Sequence, residues 1–538
     1  MISGWRTRLY HWSLDTRRVA FAAVATLITG FVVAVCIVGL RGSDQRPLEE
    51  RLRESLDTKL ASAARPARVL AEWVLGLTGE HDELEEGDEE ASPEALEDFL
   101  KEGRLMGVDL RRAIQVHGGP QDQQALFADF IVARLGSGEE RAKAAWRRIE
   151  GAALRMPPAE FANEFLGALL VDADKPLEAL NACRREGEFS DARHARATAL
   201  RIALDLKEKR ALRELLARTD YREAASGWLE YEAGSLLGDW VMHVRGLVRM
   251  EFAMATLDML LLALLSALFW YAVFQRFLHD VTHRWLWGLP LFLAGMASIP
   301  LTFFLIRQQE SLGFVEDGTF PNDLLFFVFG VGLREELAKL ALFALALPWL
   351  LRRRSASAAM LAGALVGLGF AFEENISYYA REGHEVVIGR LLTANFMHAA
   401  MTSILGYALY ELARTRFGSA EKFLLTFLAV VVAHGIYDYA PRAGQMTPML
   451  AGGGFLSFVI LALLAHRFFD ELAVYVVPRR GLVTMLALFL LGVSGLISLS
   501  MVLAAWSTGS LVAVSAVGMD AAGLVPIAVL YVRRFSHG

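Results

Sequence analysis

Cysteine is nearly absent: the 538 residues hold two, Cys36 inside an apolar run and Cys183 alone in a polar region. That excludes a disulfide framework and a thiolate metal cluster. Charge is scarce as well. Charged residues make up 21% of the chain against 54% hydrophobic ones, and mean hydropathy is +0.36, too apolar on average for a soluble enzyme. With a net charge of −6 and basic residues scattered or gathered at the ends of apolar runs, no surface is left for nucleic acid. No H-E-x-x-H segment, the helical zinc motif, occurs. The acidic tract 80–90 lacks the ligand spacing of a calcium loop and reads as a solvated linker.

What is present is apolar length. Residues 41–250 are polar, whereas 254–531 is almost continuously membrane-like. A membrane-crossing helix needs about 20 apolar residues, and hydropathy gives about ten segments of that kind: 19–40, 254–274, 285–306, 323–351, 356–376, 387–411, 422–440, 449–470, 481–504 and 510–531. The apolar core of the first exceeds a signal-peptide core, and no A-x-A site follows it, so it reads as a retained anchor. Basic residues set the orientation. Arg6, Arg8, Arg17 and Arg18 precede the first segment, and Arg276, Arg284, Arg352, Arg353, Arg354, Arg414, Arg416, Lys422, Arg467, Arg479, Arg480, Arg533 and Arg534 follow on alternate loops. The opposite short loops hold mainly Arg307, Arg381 and Arg442. Both termini are expected in the cytoplasm and residues 41–250 outside it.

The expected architecture is therefore all-α: a polytopic membrane protein with residues 1–40 as a cytoplasmic start and first anchor, 41–250 as an extracytoplasmic helical domain, and 254–531 as the membrane domain. Within 41–250, apolar residues at three and four spacing predict helices over 47–64, 66–77, 92–102, 121–135, 139–154, 158–171, 176–185, 191–207, 210–218 and 221–237. Ser92-Pro93 has the form of an N-cap followed by a first-turn proline. These short helix pairs resemble an α-solenoid of the tetratricopeptide type, although no repeat signature matches position by position. Such a domain suits a protein partner or the outer part of a substrate.

Four apolar stretches carry ionisable groups where lipid penalises them. They hold Arg334-Glu335-Glu336-Leu337-Ala338-Lys339, Phe372-Glu373-Glu374-Asn375, Asn395-Phe396-Met397-His398 and His434-Gly435-Ile436-Tyr437-Asp438. Each charge at the bilayer centre costs about 2.5–3.5 kcal/mol even on the lenient insertion scale. Several together are tolerable only if they pair or line a wet cavity. On a helix, Lys339 straddles Glu335 and Glu336 and neutralises one of them. Glu374 falls on the face of Gly363 and Gly367, a G-x-x-x-G pair that permits close helix approach, while Glu373 points about 100° away. Asn395, His398 and Thr402 form one polar stripe, and Asp438 is placed to fix the tautomer of His434. Asp258 and His466 read as span-end or packing residues. Two imidazoles, several carboxylates, an amide and an amine are an inventory for activating water on an amide. A wet polar track equally suits a transporter or proton-coupled permease, although no Gly/Pro-broken pair recurs in matching halves of the chain. A non-catalytic scaffold held together by the same groups is the third alternative.

The order Glu335-Glu336-x-x-Lys339, then Phe372-Glu373-Glu374-Asn375 with Tyr378, then the His398 segment, then His434-x-x-x-Asp438 resembles the PrsW family of intramembrane proteases. That family is similar to the group containing CAAX prenyl endopeptidases and bacteriocin-immunity-type membrane proteins. The resemblance covers roughly residues 285–470.

It implies hydrolysis of a peptide bond in a single-pass membrane protein, typically an anti-sigma factor, on the outer side of a bacterial cytoplasmic membrane. It also implies Glu335, Glu336, His398 and His434 as catalytic residues, with Lys339, Glu373, Glu374, Asn375 and Asp438 in support. Zinc is the expected metal if one takes part, with His398, His434 and Glu336 as candidate ligands. Two departures stand out. The last motif ends in Asp438 rather than Asn, and Phe396 sits only two residues before His398.

Overall fold

The computed structural model describes residues 2–41, 56–77, 104–105, 108–135, 139–253, 255–277, 284–446, 453–475 and 481–536. The acidic tract 80–90, the expected helix 92–102 with its Ser92-Pro93 cap, and residues 47–55 of the expected helix 47–64 lie outside these residues. The chain forms two compact units, one of residues 45–253 and one of residues 1–44 with 254–538.

Among the described residues, the regular structure of the first unit is helical apart from a two-residue antiparallel pairing of Arg104–Leu105 with Val108–Asp109. Helices Gln121–Leu135 and Glu139–Ala153 pack as neighbours, as do Ala162–Asp172 and Pro176–Glu186, and Gly227–Leu237 and Trp240–Ala253. Their shared core holds Phe127, Phe130, Phe161, Phe165 and Tyr221, all buried, with the Phe130 and Phe165 rings stacked at 4.5 Å. Helices Leu110–His117 and Trp240–Ala253 were not expected from the sequence. The expected helix 221–237 is two, Thr219–Ala224 and Gly227–Leu237. Ser226 separates them because its hydroxyl accepts from the Leu229 amide and so caps a new helix start.

The second unit carries fifteen labelled helices: α1 (Ile2–Leu14), α2 (Thr16–Arg41), α3 (Leu257–Phe274), α4 (Arg284–Met296), α5 (Ser298–Ser311), α6 (Leu333–Ala344), α7 (Leu347–Arg353), α8 (Ala356–Glu382), α9 (Val387–Leu392), α10 (Ala394–Arg414), α11 (Ala420–Met446), α12 (Gly453–Tyr475), α13 (Met485–Thr508), α14 (Leu511–Gly523) and α15 (Val525–Ser536). Among the described residues, six helices are long and apolar enough to cross a membrane: Thr16–Leu40, Leu257–Phe277, Trp287–Gln309, Ala356–Glu382, Ala420–Ala440 and Met485–Thr508. The count is seven if α14 and α15, bent by 52° at their junction, make one span.

Three segments expected as single spans are broken: 510–531, at the bend between α14 and α15, and two that carry polar motifs. Residues 323–351 run as one short turn, Asn322–Leu325, a π-helical stretch, Phe326–Gly332, then α6 and α7. Residues 387–411 divide at Thr393 into α9 and α10. These are the segments that carry much of the polar chemistry, and π-helical stretches are frequent at functional sites. Glycines bring the remaining elements together. A Cβ on Gly363 would stand 2.5 Å from the Thr402 carbonyl, and one on Gly367 would run into the His398 carbonyl. Helices α8 and α10 thus touch along backbone, as the spacing of the two glycines predicts. On the π-helical stretch, a Cβ at Gly332 would meet the Val431 carbonyl of α11 at 2.6 Å.

Candidate intramembrane active site

The first acidic motif opens α6. Glu335, Glu336 and Lys339 are all buried, with Lys339 and Glu336 fully closed off. The Lys339 ammonium lies 2.7 Å from Glu336 Oε1 and 3.7 Å from Glu335 Oε2. It also stands 3.0 Å from His398 Nδ1 and 4.2 Å from the centre of the Phe370 ring. One cation therefore serves two carboxylates and an imidazole, as its position one turn after the glutamates permits.

Each imidazole is held on one nitrogen by a carboxylate. His434 Nδ1 donates to Glu336 Oε1 at 2.9 Å, and His398 Nε2 donates to Glu374 Oε2 at 2.9 Å. An ionised carboxylate only accepts, so these bonds fix both tautomers. The rings lie edge to face with centroids 5.2 Å apart. His434 Nε2 is 3.2 Å from Asp438 and 3.5 Å from Glu335 Oε2. Asn375 of α8 donates to Asn395 of α10 at 2.9 Å.

The four motifs of the sequence thus meet in one buried cluster drawn from α6, α8, α10 and α11. Of the two neighbouring glutamates on α8, it is Glu374 that reaches His398. Glu373 is buried but contributes none of these bonds. The Thr402 carbonyl lies against Gly363, and the Thr402 hydroxyl is buried without a hydrogen bond among the described residues. Asp258 pairs with His384 at 2.9 Å, and His466, exposed, pairs with Asp470 at 3.0 Å. Arg390 on α9, absent from the sequence-based set, donates to Glu374 at 2.7 Å and to Asn375 at 2.5 Å. Its proximity was not legible because α9 was taken as the continuous start of a span.

Three of these residues suit a metal. Glu335, His398 and His434 each bring a ligand-type atom, all within 4.8 Å of one another. The sequence-based candidate was Glu336, whose Oε1 is engaged by Lys339 and by His434 Nδ1; His398 Nδ1 faces the same ammonium at 3.0 Å and would exchange it for a metal. Two observations fit a cation here. Glu335 Oε2 and His434 Nε2 are buried without a hydrogen bond among the described residues. Four carboxylates, Glu335, Glu336, Glu374 and Asp438, lie beside two basic side chains, Lys339 and Arg390, an acidic excess that suits a divalent ion. Two imidazoles and a carboxylate are also the ligand set of a catalytic zinc site with its fourth position open.

Residues 283–470 match the model of the PrsW family intramembrane metalloprotease. No curated protein and no solved structure matches the chain. The matched stretch contains every helix that contributes to the cluster, so the likeness to intramembrane metalloproteases falls on the part of the chain that carries these polar groups.

Proposed function

We propose that the protein hydrolyses a peptide bond in a single-pass membrane protein, using Glu336 as general base at the cluster of Glu335, His398 and His434. The observation that carries this reading is the convergence of those three residues to within 4.8 Å, with a carboxylate on the second nitrogen of each imidazole. Such outer carboxylates orient ligating histidines and raise their basicity.

Glu335, His398 and His434 would hold a divalent metal, with zinc the first candidate, whose chemistry is to polarise the scissile carbonyl and acidify water. Glu336 takes a proton from water as the water oxygen bonds to the carbonyl carbon. It returns that proton to the amide nitrogen as the C–N bond breaks. Oε1 of Glu336 is occupied by Lys339 and His434, and Oε2 has no hydrogen bond among the described residues, which supports Oε2 as the proton-accepting atom. Lys339 offsets the charge of the glutamate pair. Glu374, Asn375 and Asp438 orient the imidazoles.

The alternation of basic loops supports cytoplasmic termini in a bacterial inner membrane, with about ten membrane segments once the broken polar ones are counted. The 45–253 unit, with its successive short helix pairs, then holds the outer part of the substrate, for which an anti-sigma-factor-like protein is the family expectation. Comparing membrane proteomes of cells carrying the natural chain or Glu336→Gln tests this. A single-pass protein that loses its trimmed form in the variant supports the reading, and identical proteomes refute it.

A further inference from the structure

Arg390 makes a fork. Its Nη2 donates to Glu374 Oε2 at 2.7 Å, its Nε donates to Asn375 Oδ1 at 2.5 Å, and its plane lies 3.6 Å from the centre of the Tyr378 ring. Both recipients pass the constraint on to α10. The same Glu374 oxygen accepts from His398 Nε2, and Asn375 donates to Asn395. One guanidinium therefore fixes two consecutive side chains of α8, each in contact with a polar side chain of α10.

Arg390 is itself held by a short segment with its own anchors. The Gly389 amide donates to the Asp520 carboxylate at 2.9 Å. The Trp270 indole donates to the Leu391 carbonyl at 2.7 Å, and the Tyr531 hydroxyl to the Leu392 carbonyl at 3.0 Å. His384, just before α9, pairs with Asp258. These anchors come from α3, α14 and α15, none of which contributes to the catalytic cluster. A rigid, planar, two-pronged donor on a pinned segment is suited to setting direction as well as charge.

We infer that Arg390 is a positioning residue for His398: through Glu374 and Asn375 it fixes the plane and tautomer of the ring relative to Glu335 and His434. This rests on the reading of those three residues as a metal-holding set. A merely structural role would tie α9 to α8 and leave metal affinity untouched.

Cobalt(II) binding to the full-length protein in detergent, followed by visible absorption, separates the two. Arg390→Met and Glu374→Gln should each weaken binding about 10–100-fold. The double variant should be no weaker than the worse single, since both act in one chain of contacts. Arg390→Lys, which keeps the charge but not the fork, should fall between. His466→Ala, remote and exposed, is the control and should bind as the natural protein does. Undiminished affinity in Arg390→Met overturns the inference, and so does a double variant whose loss is the product of the singles. If the natural protein takes up no cobalt, the metal reading fails and an experimental structure of Arg390→Met decides the matter. A His398 ring still bonded to Glu374 in its original orientation would then overturn it, and a ring turned away would uphold it.

Discussion

Lys339 and Glu336 form an ion pair of 2.7 Å in which neither side chain reaches solvent. Such a pair is weak evidence of net stabilisation, but breaking it from one side leaves an uncompensated buried charge, at a cost of about 3–5 kcal/mol. Lys339→Met should lower thermal stability accordingly. Adding Glu336→Gln to it should recover part of the loss, because the stranded carboxylate is then gone. Unfolding of the purified variants in detergent reads both effects, and additive losses would contradict the pairing.

Gly367 and Gly495 offer the same substitution with different outcomes. A Cβ on Gly367 meets His398 and Ala399 backbone atoms, among them His398 C at 2.6 Å, which cannot yield without spreading α8 from α10. Gly367→Ala should therefore cost about 1–3 kcal/mol and disturb His398. A Cβ on Gly495, inside α13, meets nothing within 4 Å. Gly495→Ala should be neutral or stabilising by up to about 1 kcal/mol from helix propensity. Parallel melting curves test the pair.

The 45–253 unit carries its own buried charge cluster. Arg68 pairs with Glu164, and with Glu160 and Glu186 at 3.1 and 3.2 Å. Burial, reinforced by the neighbouring Glu164 charge, pushes the Glu186 carboxyl up to about 7 from an ordinary 4.5, against the pull of the Phe161 amide and Arg68. A folded pKa above the unfolded one means that the folded state binds the proton more tightly. This group's contribution is thus fully present below about pH 4.5 and is lost as pH rises through about 7. The Phe161 amide donates to Glu186 at 2.9 Å. That bond strengthens on ionisation, so the reporter is a core amide away from it: the Phe165 amide's exchange protection, corrected for intrinsic rate, should fall over that window. Glu186→Gln should flatten the dependence.

Much of the site was legible because a bilayer makes polar residues conspicuous. Glu335, Glu336, His398 and His434 stood out by position alone, and the helical phase of Gly363 and Gly367 selected Glu374 over its neighbour. What periodicity misses is a break. The π-helical stretch and the interruption at Thr393 occur within apolar runs that hydropathy joins, so α9 and its Arg390 were hidden inside an expected span. The different surroundings of Glu335 and Glu336 were hidden for another reason. Both lie on one face of α6, and only the placement of Lys339 and of the His434 ring separates them. Ser226 shows the same limit in the polar unit, where a single hydroxyl cap divides a continuous apolar pattern.

The most direct test of the account is Glu336→Gln assayed on the single-pass protein that the membrane comparison identifies. The shape of the side chain is kept, while its capacity to accept a proton and its charge opposite Lys339 are both removed. The purified variant should remain folded with a lowered melting temperature, while cleavage falls about 10²–10⁴-fold, the range of general-base contributions. Cleavage at the natural rate by that folded variant would contradict a glutamate-activated water at this cluster.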